Sequence, residues 1–319
     1  MWGIDPLMDS NSKPNVRRAV RVTAGAGLER WRVRTAWLFL APTLVVLALV
    51  AGWPLLRTAM LAFTDAYLSR MAEARWVGLE NFRWLLTDGD WWRSVQNTIV
   101  FTVASVSVQF VLGLGAALVL NVRFAGRGLL RAVVLIPWAI PTVVSARMWR
   151  WMYHDVYGVF NDLGLRSGLL AQPVAWLADD TTAMAAIVVA DIWKATPFMA
   201  LLLLAGLQAI PTGLYEAARV DGVGRLNAFV YITLPLLKPA ILVALIFRTL
   251  DALRVFDLIY VMTSNAVSTA SMSVYARQQL IDFQEMGYGS AVSLMIFFVI
   301  AVFVAAYVTA MRASLVEEG

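Results

Sequence analysis

YGSAVSLMIFFVIAVFVAAYVTAM, Tyr288–Met311, decides the fold, because 24 residues pass without one charged side chain. As a helix rising about 1.5 Å per residue it spans about 36 Å, more than the ~30 Å hydrocarbon core of a bilayer. Apolar runs this long are rare as buried helices of soluble folds. Five more stretches are mostly apolar over a similar length: about Thr35–Phe63, Ser94–Asn121, Leu129–Tyr153, Thr182–Leu204 and Pro239–Met262. In the third, Pro137 and Pro141 interrupt the helical pattern. Membrane helices tolerate proline when neighbouring groups satisfy the freed carbonyls. The reading is an all-α, polytopic transmembrane bundle of about six spans. It divides into a basic N-terminal arm (1–34), one membrane domain (35–311) and a short tail (312–319).

Composition agrees. Hydrophobic residues make up 60% of the 319 and charged ones 15%, with mean hydropathy +0.70. Soluble domains are about half apolar and a quarter charged. Absent cysteine removes disulfides, thiolate metal sites and thiol nucleophiles. A single histidine, His154, argues against multi-histidine metal sites and Ser-His catalysis, and reads as a plain loop residue.

The net charge of +5 does not point to nucleic acid, because its placement is a topology signal. Lys13, Arg17, Arg18, Arg21, Arg30, Arg32 and Arg34 precede the first apolar run, and residues 1–30 read as a mobile basic arm near anionic lipid. With alternate loops and the C-terminal flank, that side carries 14 basic residues against 6 on the other. The second side instead holds Glu73, Glu80, Asp88, Asp155, Asp179, Asp282 and Glu285, among other acids. Both termini are therefore expected in the cytoplasm, with residues 64–93, 154–181 and 263–287 exported. Trp76, Trp84, Trp91, Trp92 and Trp176, in or beside the exported loops, read as anchors at the headgroup level.

Between the fourth and fifth spans lies PTGLYEAARVDGVGRLNAFVYITLPLLKP, Pro211–Pro239. Pro211 and Thr212 can open a helix, and Leu214 to Asp221 reads as a short one. Gly222 and Gly224 permit a sharp turn. Leu226 to Thr233 reads as a second short helix, stopped before Pro235. The result is a knob facing the cytoplasm; the plainer reading is an interfacial amphipathic loop.

Glu216-Ala217-Ala218, then Gly222, Ile232 and Leu234-Pro235 at their spacing, resemble the "EAA" loop of bacterial ATP-binding-cassette importer permeases at every defining position. The resemblance extends over about Arg34–Met311 and narrows to permeases of the maltose and glycerol-phosphate type. Leu135–Pro141, Ala205–Pro211 and Phe256–Thr263 support it. It implies that the 211–236 loop docks into a partner ATPase, with Glu216 making polar contacts, Ala217 and Ala218 allowing close packing and Gly222 making the turn. It also implies a second permease subunit, an ATP-binding subunit dimer, an extracytoplasmic solute-binding protein and residence in a bacterial inner membrane. One departure is that Ser264-Asn265-Ala266-Val267 stands where family members commonly carry a Gly-Gly-Pro turn.

No G-x-x-x-x-G-K-[ST] phosphate loop occurs, and none of the three lysines follows a glycine-rich run. ATP and magnesium are thus assigned to the partner ATPase, and no catalytic residue, metal site or cofactor is expected here.

Ionisable groups within a span each cost roughly 2.5–3.5 kcal/mol on insertion scales and need partners or a wet cavity. Arg248, Asp251, Arg254 and Asp257 follow one another at three-residue steps, a sloping polar stripe if the helix is continuous. Asp191 and Lys194, with Trp193 beside them, repeat the step in the fourth span. One reading makes Asp191–Lys194 and Arg254–Asp257 self-neutralising pairs. The other makes these residues a substrate path, with Arg248 and Asp251 nearest mid-membrane. The resemblance favours the second for Arg248, Asp251, Ala252 and Val255, which align with sugar-contacting positions. A di- or oligosaccharide importer subunit is the resulting expectation. Its rival is an ion-gradient-driven transporter using Asp251 or Asp191, which leaves the 211–236 loop unexplained.

Overall fold

The computed structural model of the chain describes residues 16–122 and 124–316. Residues 1–15 of the basic arm and 317–319 of the tail lie outside the described residues. From Val16 the arm is already helical: α1 (Val16–Leu47) passes through a π-turn at Ala48–Gly52 into α2 (Trp53–Leu61). The apolar side chains from Trp37 to Leu56 are exposed, as suits a lipid-facing helix.

The chain separates into two compact units, 1–57 and 58–319. In the second unit a 3₁₀ segment (Leu68–Glu73) and the short α3 (Glu80–Thr87) precede α4 (Gly89–Asn121). Asn81 ties this loop down, donating to the carbonyls of Ala62 at 2.9 Å and Thr64 at 2.8 Å. The buried face of α4 runs through Ser94, Thr98, Thr102, Ser105, Gln109, Gly113 and Ala117, small or hydrogen-bonding residues at three- and four-residue steps. That pattern brings membrane helices close. A Cβ on Gly113 would meet the Met199 side chain at 2.7 Å, so no larger residue fits there.

The third stretch is broken. α5 (Arg127–Ala139) and α6 (Thr142–Met152) meet at 87°. Ile140 between them is extended (φ −70°, ψ 132°), as the residue before a proline prefers. The 154–181 loop holds α7 (Val159–Arg166), organised by the buried Asn161. Its amide donates to the carbonyls of Asp155 and Val174 and accepts from Val174 N–H and the Trp176 indole, all at 2.8–3.1 Å. Trp176 is thus a loop fastener, and the 2%-exposed Trp91 packs on Tyr275 instead of lipid. Trp76, Trp84 and Trp92 are exposed, as headgroup anchors would be.

α8 (Ala183–Ala209) packs along α4 and runs past the expected end at Leu204 until Ile210 turns extended before Pro211. α9 (Thr212–Val220) follows, then α10 (Arg225–Ala228), a π-turn (Phe229–Thr233) and α11 (Leu234–Leu253). The second short helix therefore does not stop before Pro235 but runs on as one helix, Arg225–Leu253. Proline lacks an N–H, and the π-turn shifts the ladder just ahead of it, Leu234 N–H donating to Phe229 O.

The fifth stretch ends earlier than expected. α11 ends at Leu253, and α12 (Asp257–Thr263) restarts after Phe256. Arg254 and Val255 close the first helix by tight bonds to the Asp251 and Ala252 carbonyls, and Ser271 Oγ donates to Val255 O at 2.7 Å. Asp257 then occupies the first turn of α12, where a carboxylate is favourable. α13 (Met272–Arg277), a π-turn (Gln278–Asp282) and α14 (Met286–Val316) complete the chain. Among the described residues, five helices are long and apolar enough to cross a membrane, six with the bent pair as one span.

At the turn after α12, Ala266 N–H donates to Thr263 O at 3.2 Å while Ser264 has φ 56° and ψ −129°. Those are the angles of the first central residue of a type II′ turn, which favours glycine. A backbone position that favours glycine is thus filled by serine. Ser264→Gly is expected to stabilise the protein by about 1 kcal/mol, relief of strain exceeding the added chain entropy. Thermal unfolding in detergent reads it; an unchanged or lower midpoint would show that the serine is unstrained.

Candidate functional site

The in-span charges do not pair along their own helices in the way spacing suggested. Arg248 of α11 is 3% exposed and reaches three neighbours. Its Nε donates to Gln109 Oε1 of α4 at 2.5 Å, Nη1 to Asp251 Oδ2 at 2.6 Å, and Nη2 to Asp191 Oδ2 of α8. Gln109 closes the ring, its amide donating to Asp191 Oδ2 at 2.9 Å. A buried ion pair offsets its desolvation only when further hydrogen bonds satisfy the remaining valences, which Gln109 and Asp251 do. Gln109 is absent from the expected site residues because it is neutral. Its signal was an amide inside an apolar run, since such groups bond across membrane helices.

Asp191 and Lys194 form no ion pair. Lys194 Nζ instead donates at 2.7 Å to Ile140 O, the carbonyl left over where α5 breaks before Pro141. Arg254 and Asp257 make no ion pair either, because the helix that would have aligned them ends at Leu253. The expected stripe survives only as Arg248–Asp251.

These groups border a cavity of about 520 Å³ between α8, α11, α12 and the α5–α6 bend. Asp191, Lys194, Arg248, Asp251, Ala252 and Val255 all line it, with Arg254 and Asp257. Trp193 does not; it packs edge-on against Trp149, with ring centroids 5.7 Å apart. The aromatic wall comes from Phe256 and from Trp138 stacked on Phe198 at 5.7 Å. Arg248 and Asp191 are buried behind the surface, whereas the Asp251 side chain is 72% exposed. The cavity thus offers an exposed carboxylate, cationic donors and ring faces together. That combination can hold a polyhydroxylated molecule, hydroxyls on the charges and C–H faces on the rings.

At the other functional candidate, α9 ends in a Schellman motif. Gly222 takes φ +75°, its N–H donating to Arg219 O at 3.1 Å, and Val223 N–H donates to Ala218 O at 2.8 Å. Gly224 is not part of the left-handed turn and instead caps α10 in extended conformation. Tyr215 OH and Thr233 Oγ1 lie 2.9 Å apart and fasten α9 to the π-turn. Ala218 is buried in this joint and Ile232 half-buried, while Glu216, Ala217, Gly222, Leu234 and Pro235 are exposed. Val220, Leu226 and Tyr231 expose 74–88% of their surface, a large apolar area on so small a knob.

Residues 109–314 match the family described as the inner membrane component of binding-protein-dependent transport systems. The chain is 45% identical over 278 residues to the trehalose/maltose transport system permease protein MalF of Thermococcus litoralis, covering 86% of this chain and 92% of that one. It is 40% identical over 264 residues to the sulfoquinovosyl glycerol transport system permease protein SmoG of Agrobacterium fabrum, covering 82% and 85%. In fold it is similar to a bacterial ABC transporter involved in import of the acidic polysaccharide alginate, with TM-score 0.78 and 24% identity over 89% of this chain and 99% of that one. This chain belongs to the family of inner-membrane components of binding-protein-dependent transport systems.

Proposed function

We propose that the chain is one of two pathway-forming membrane subunits of an ATP-driven sugar importer. The observation that carries this reading is the 520 Å³ cavity, where Asp251 and Lys194 face the same space as Trp138 and Phe256. A sugar needs both kinds of wall, and two relatives are named for trehalose, maltose or a glycosyl glycerol. The rival ion-gradient reading loses one of its two acids, since Asp191 is neutralised by Arg248. ATP hydrolysis and magnesium belong to a partner ATPase dimer, for which exposed Val220, Leu226 and Tyr231 around Glu216 offer a docking knob. A second permease and an external solute-binding protein complete the assembly.

The test is copurification with these partners and uptake by the reconstituted complex, screened with trehalose, maltose and sulfoquinovosyl glycerol. ATP-dependent uptake of one of them is expected. Uptake driven by an ion gradient without ATP would overturn the reading in favour of the rival.

The same reading places the 211–236 loop in the cytoplasm and the 154–181 loop outside. Leu169→Cys and Val220→Cys, at positions 84% and 88% exposed, test this in a chain without other cysteines, expressed without the partner ATPase that would cover position 220. An impermeant maleimide is expected to label position 169 in intact cells and position 220 only after lysis. The reverse pattern would invert the topology.

A further inference from the structure

The α5–α6 bend is held to α8 at two points, and both of them line the 520 Å³ cavity. One is polar: Lys194 Nζ donates to Ile140 O at 2.7 Å. The other is aromatic: Trp138 stacks on Phe198, with ring centroids 5.7 Å apart and planes 18° from parallel. Lys194 and Phe198 are four residues apart, neighbours on one face of α8. Trp138 and Ile140 stand just before Pro141, where the chain passes at 87° into α6. The junction does little to fix its own angle, since Ile140 is extended and proline has no N–H to give. Beyond the bend, α6 packs along α12, and Arg150 Nη1 donates to Val261 O at 3.1 Å. From α12 come Asp257 and Leu258, which line the cavity too. The angle of the bend therefore sets where a further wall of the cavity stands.

The Lys194 ammonium exceeds what the Ile140 carbonyl needs. A neutral hydroxyl or amide would satisfy that oxygen, whereas a charge inside a span is costly. An ammonium carries three donors. One is spent on Ile140 O, and the other two have no partner among the described residues. Arg248, by contrast, spends its donors on Gln109, Asp191 and Asp251. Lys194 is only half-buried, and it lines the cavity, as the exposed Asp251 does. One side chain thus grips the bend and keeps donors for whatever enters the cavity.

We propose that Lys194 is a positioning residue that couples sugar in the cavity to the α5–α6 bend. The inference rests on the reading of the chain as a sugar-importer subunit. With Nζ at Ile140 O, its remaining N–H groups donate to a sugar hydroxyl, so the sugar gains that bond only while the bend is clasped. A ligand shifts a conformational equilibrium by its difference in affinity for the two states, and this bond supplies such a difference. Occupancy therefore favours the clasped bend, the arrangement from which transport proceeds. In an empty cavity Asp251 competes with Ile140 O for the ammonium, and the bend is held less firmly.

The assay is ATP-dependent uptake by reconstituted complexes of equal subunit content. Trehalose is the probe, replaced by maltose or sulfoquinovosyl glycerol if the wild type takes up that sugar instead. Lys194→Met keeps the apolar stem and loses every donor. It is expected to raise KM about tenfold, for one lost hydrogen bond, and to lower maximal uptake about tenfold as the clasped fraction falls. Lys194→Arg, a charged fork with donors for both partners, is expected to stay within about threefold of the wild type in both constants. Asp251→Asn is the comparison, expected to move KM alone. If Lys194→Met fails to assemble, Lys194→Gln takes its place; it keeps a neutral N–H for Ile140 O and is expected to worsen both constants at least about threefold. A change in KM alone would make Lys194 a sugar contact and nothing more, and a change in maximal uptake alone would make it a fastener. Either result, or no change in both, overturns the coupling, while uptake by the wild type still supports the importer reading. If the wild type takes up none of the three sugars, that reading falls and the coupling with it.

Discussion

Gly222→Pro is expected to lower ATP-dependent uptake at least about 100-fold while the complex still inserts and retains basal ATPase activity. Gly222 sits at φ +75°, and its N–H donates to Arg219 O at 3.1 Å. Proline fixes φ near −65° and has no N–H, so it can satisfy neither requirement, and the mismatch amounts to about 3 kcal/mol or more. Because Gly222 is exposed and open space surrounds it, the damage stays in the α9–α10 knob rather than in the bundle. A mispositioned knob that loses ~2.7 kcal/mol of coupling would account for two decades of rate. Gly222→Ala should fall between, since a non-glycine residue in left-handed conformation costs roughly 1–2 kcal/mol. Glu216→Lys is the companion test: the residue is exposed, so reversing its charge alters a contact without altering the fold. Uptake and hydrolysis measured together on complexes of equal subunit content decide the matter. Wild-type uptake in both Gly222→Pro and Glu216→Lys would mean that this loop does not transmit ATPase motion.

The parts of the fold legible in the sequence are those whose causes are local. An uncharged run longer than the bilayer core needs only its own composition to be a span, as in Tyr288–Met311. The start of α9 after Pro211 and its stop at Gly222 follow from backbone restrictions of those two residues. What escaped reading depends on partners distant in sequence. The break after Leu253 relies in part on a serine sixteen positions beyond Val255, whose hydroxyl satisfies Val255 O. Pro235 suggested a stop and became a π-turn, because a shifted ladder removes the need for the missing N–H. The charges misled most. A three-residue step places two groups on neighbouring positions of one helix, but it says nothing about what the adjacent helix offers. Asp191 found Arg248 across the bundle and Lys194 found a carbonyl orphaned by Pro141. The cavity's chemistry was therefore legible by residue type, and its wiring was not.

That wiring separates two residues the sequence treated alike, and the last expected result exploits the difference. Asp251→Asn should leave assembly intact and weaken apparent sugar affinity about tenfold, whereas Arg248→Gln should damage assembly first. The Asp251 side chain is 72% exposed, so its ion pair with Arg248 contributes only about 0–1 kcal/mol to stability. An amide in its place forfeits a charge-assisted bond to a hydroxyl, a loss of about 1–1.5 kcal/mol in binding. Arg248 is 3% exposed and neutralises Asp191, whose side chain is 10% exposed. Removing the guanidinium strands that carboxylate without its counter-charge, at a cost of roughly 3–5 kcal/mol. Two double variants distinguish the roles. Asp191→Asn added to Arg248→Gln should restore much of the assembled complex, because Gln109 can bond both new amides. Asp251→Asn added to Arg248→Gln should not, since it leaves Asp191 buried and charged. Subunit content of the purified complex reports the first effect, and sugar-dependent uptake at matched content reports the second. Recovery of wild-type apparent affinity in Asp251→Asn/Arg248→Gln would instead make the two a self-contained ion pair, and would move Asp251 from the sugar's path into the scaffold.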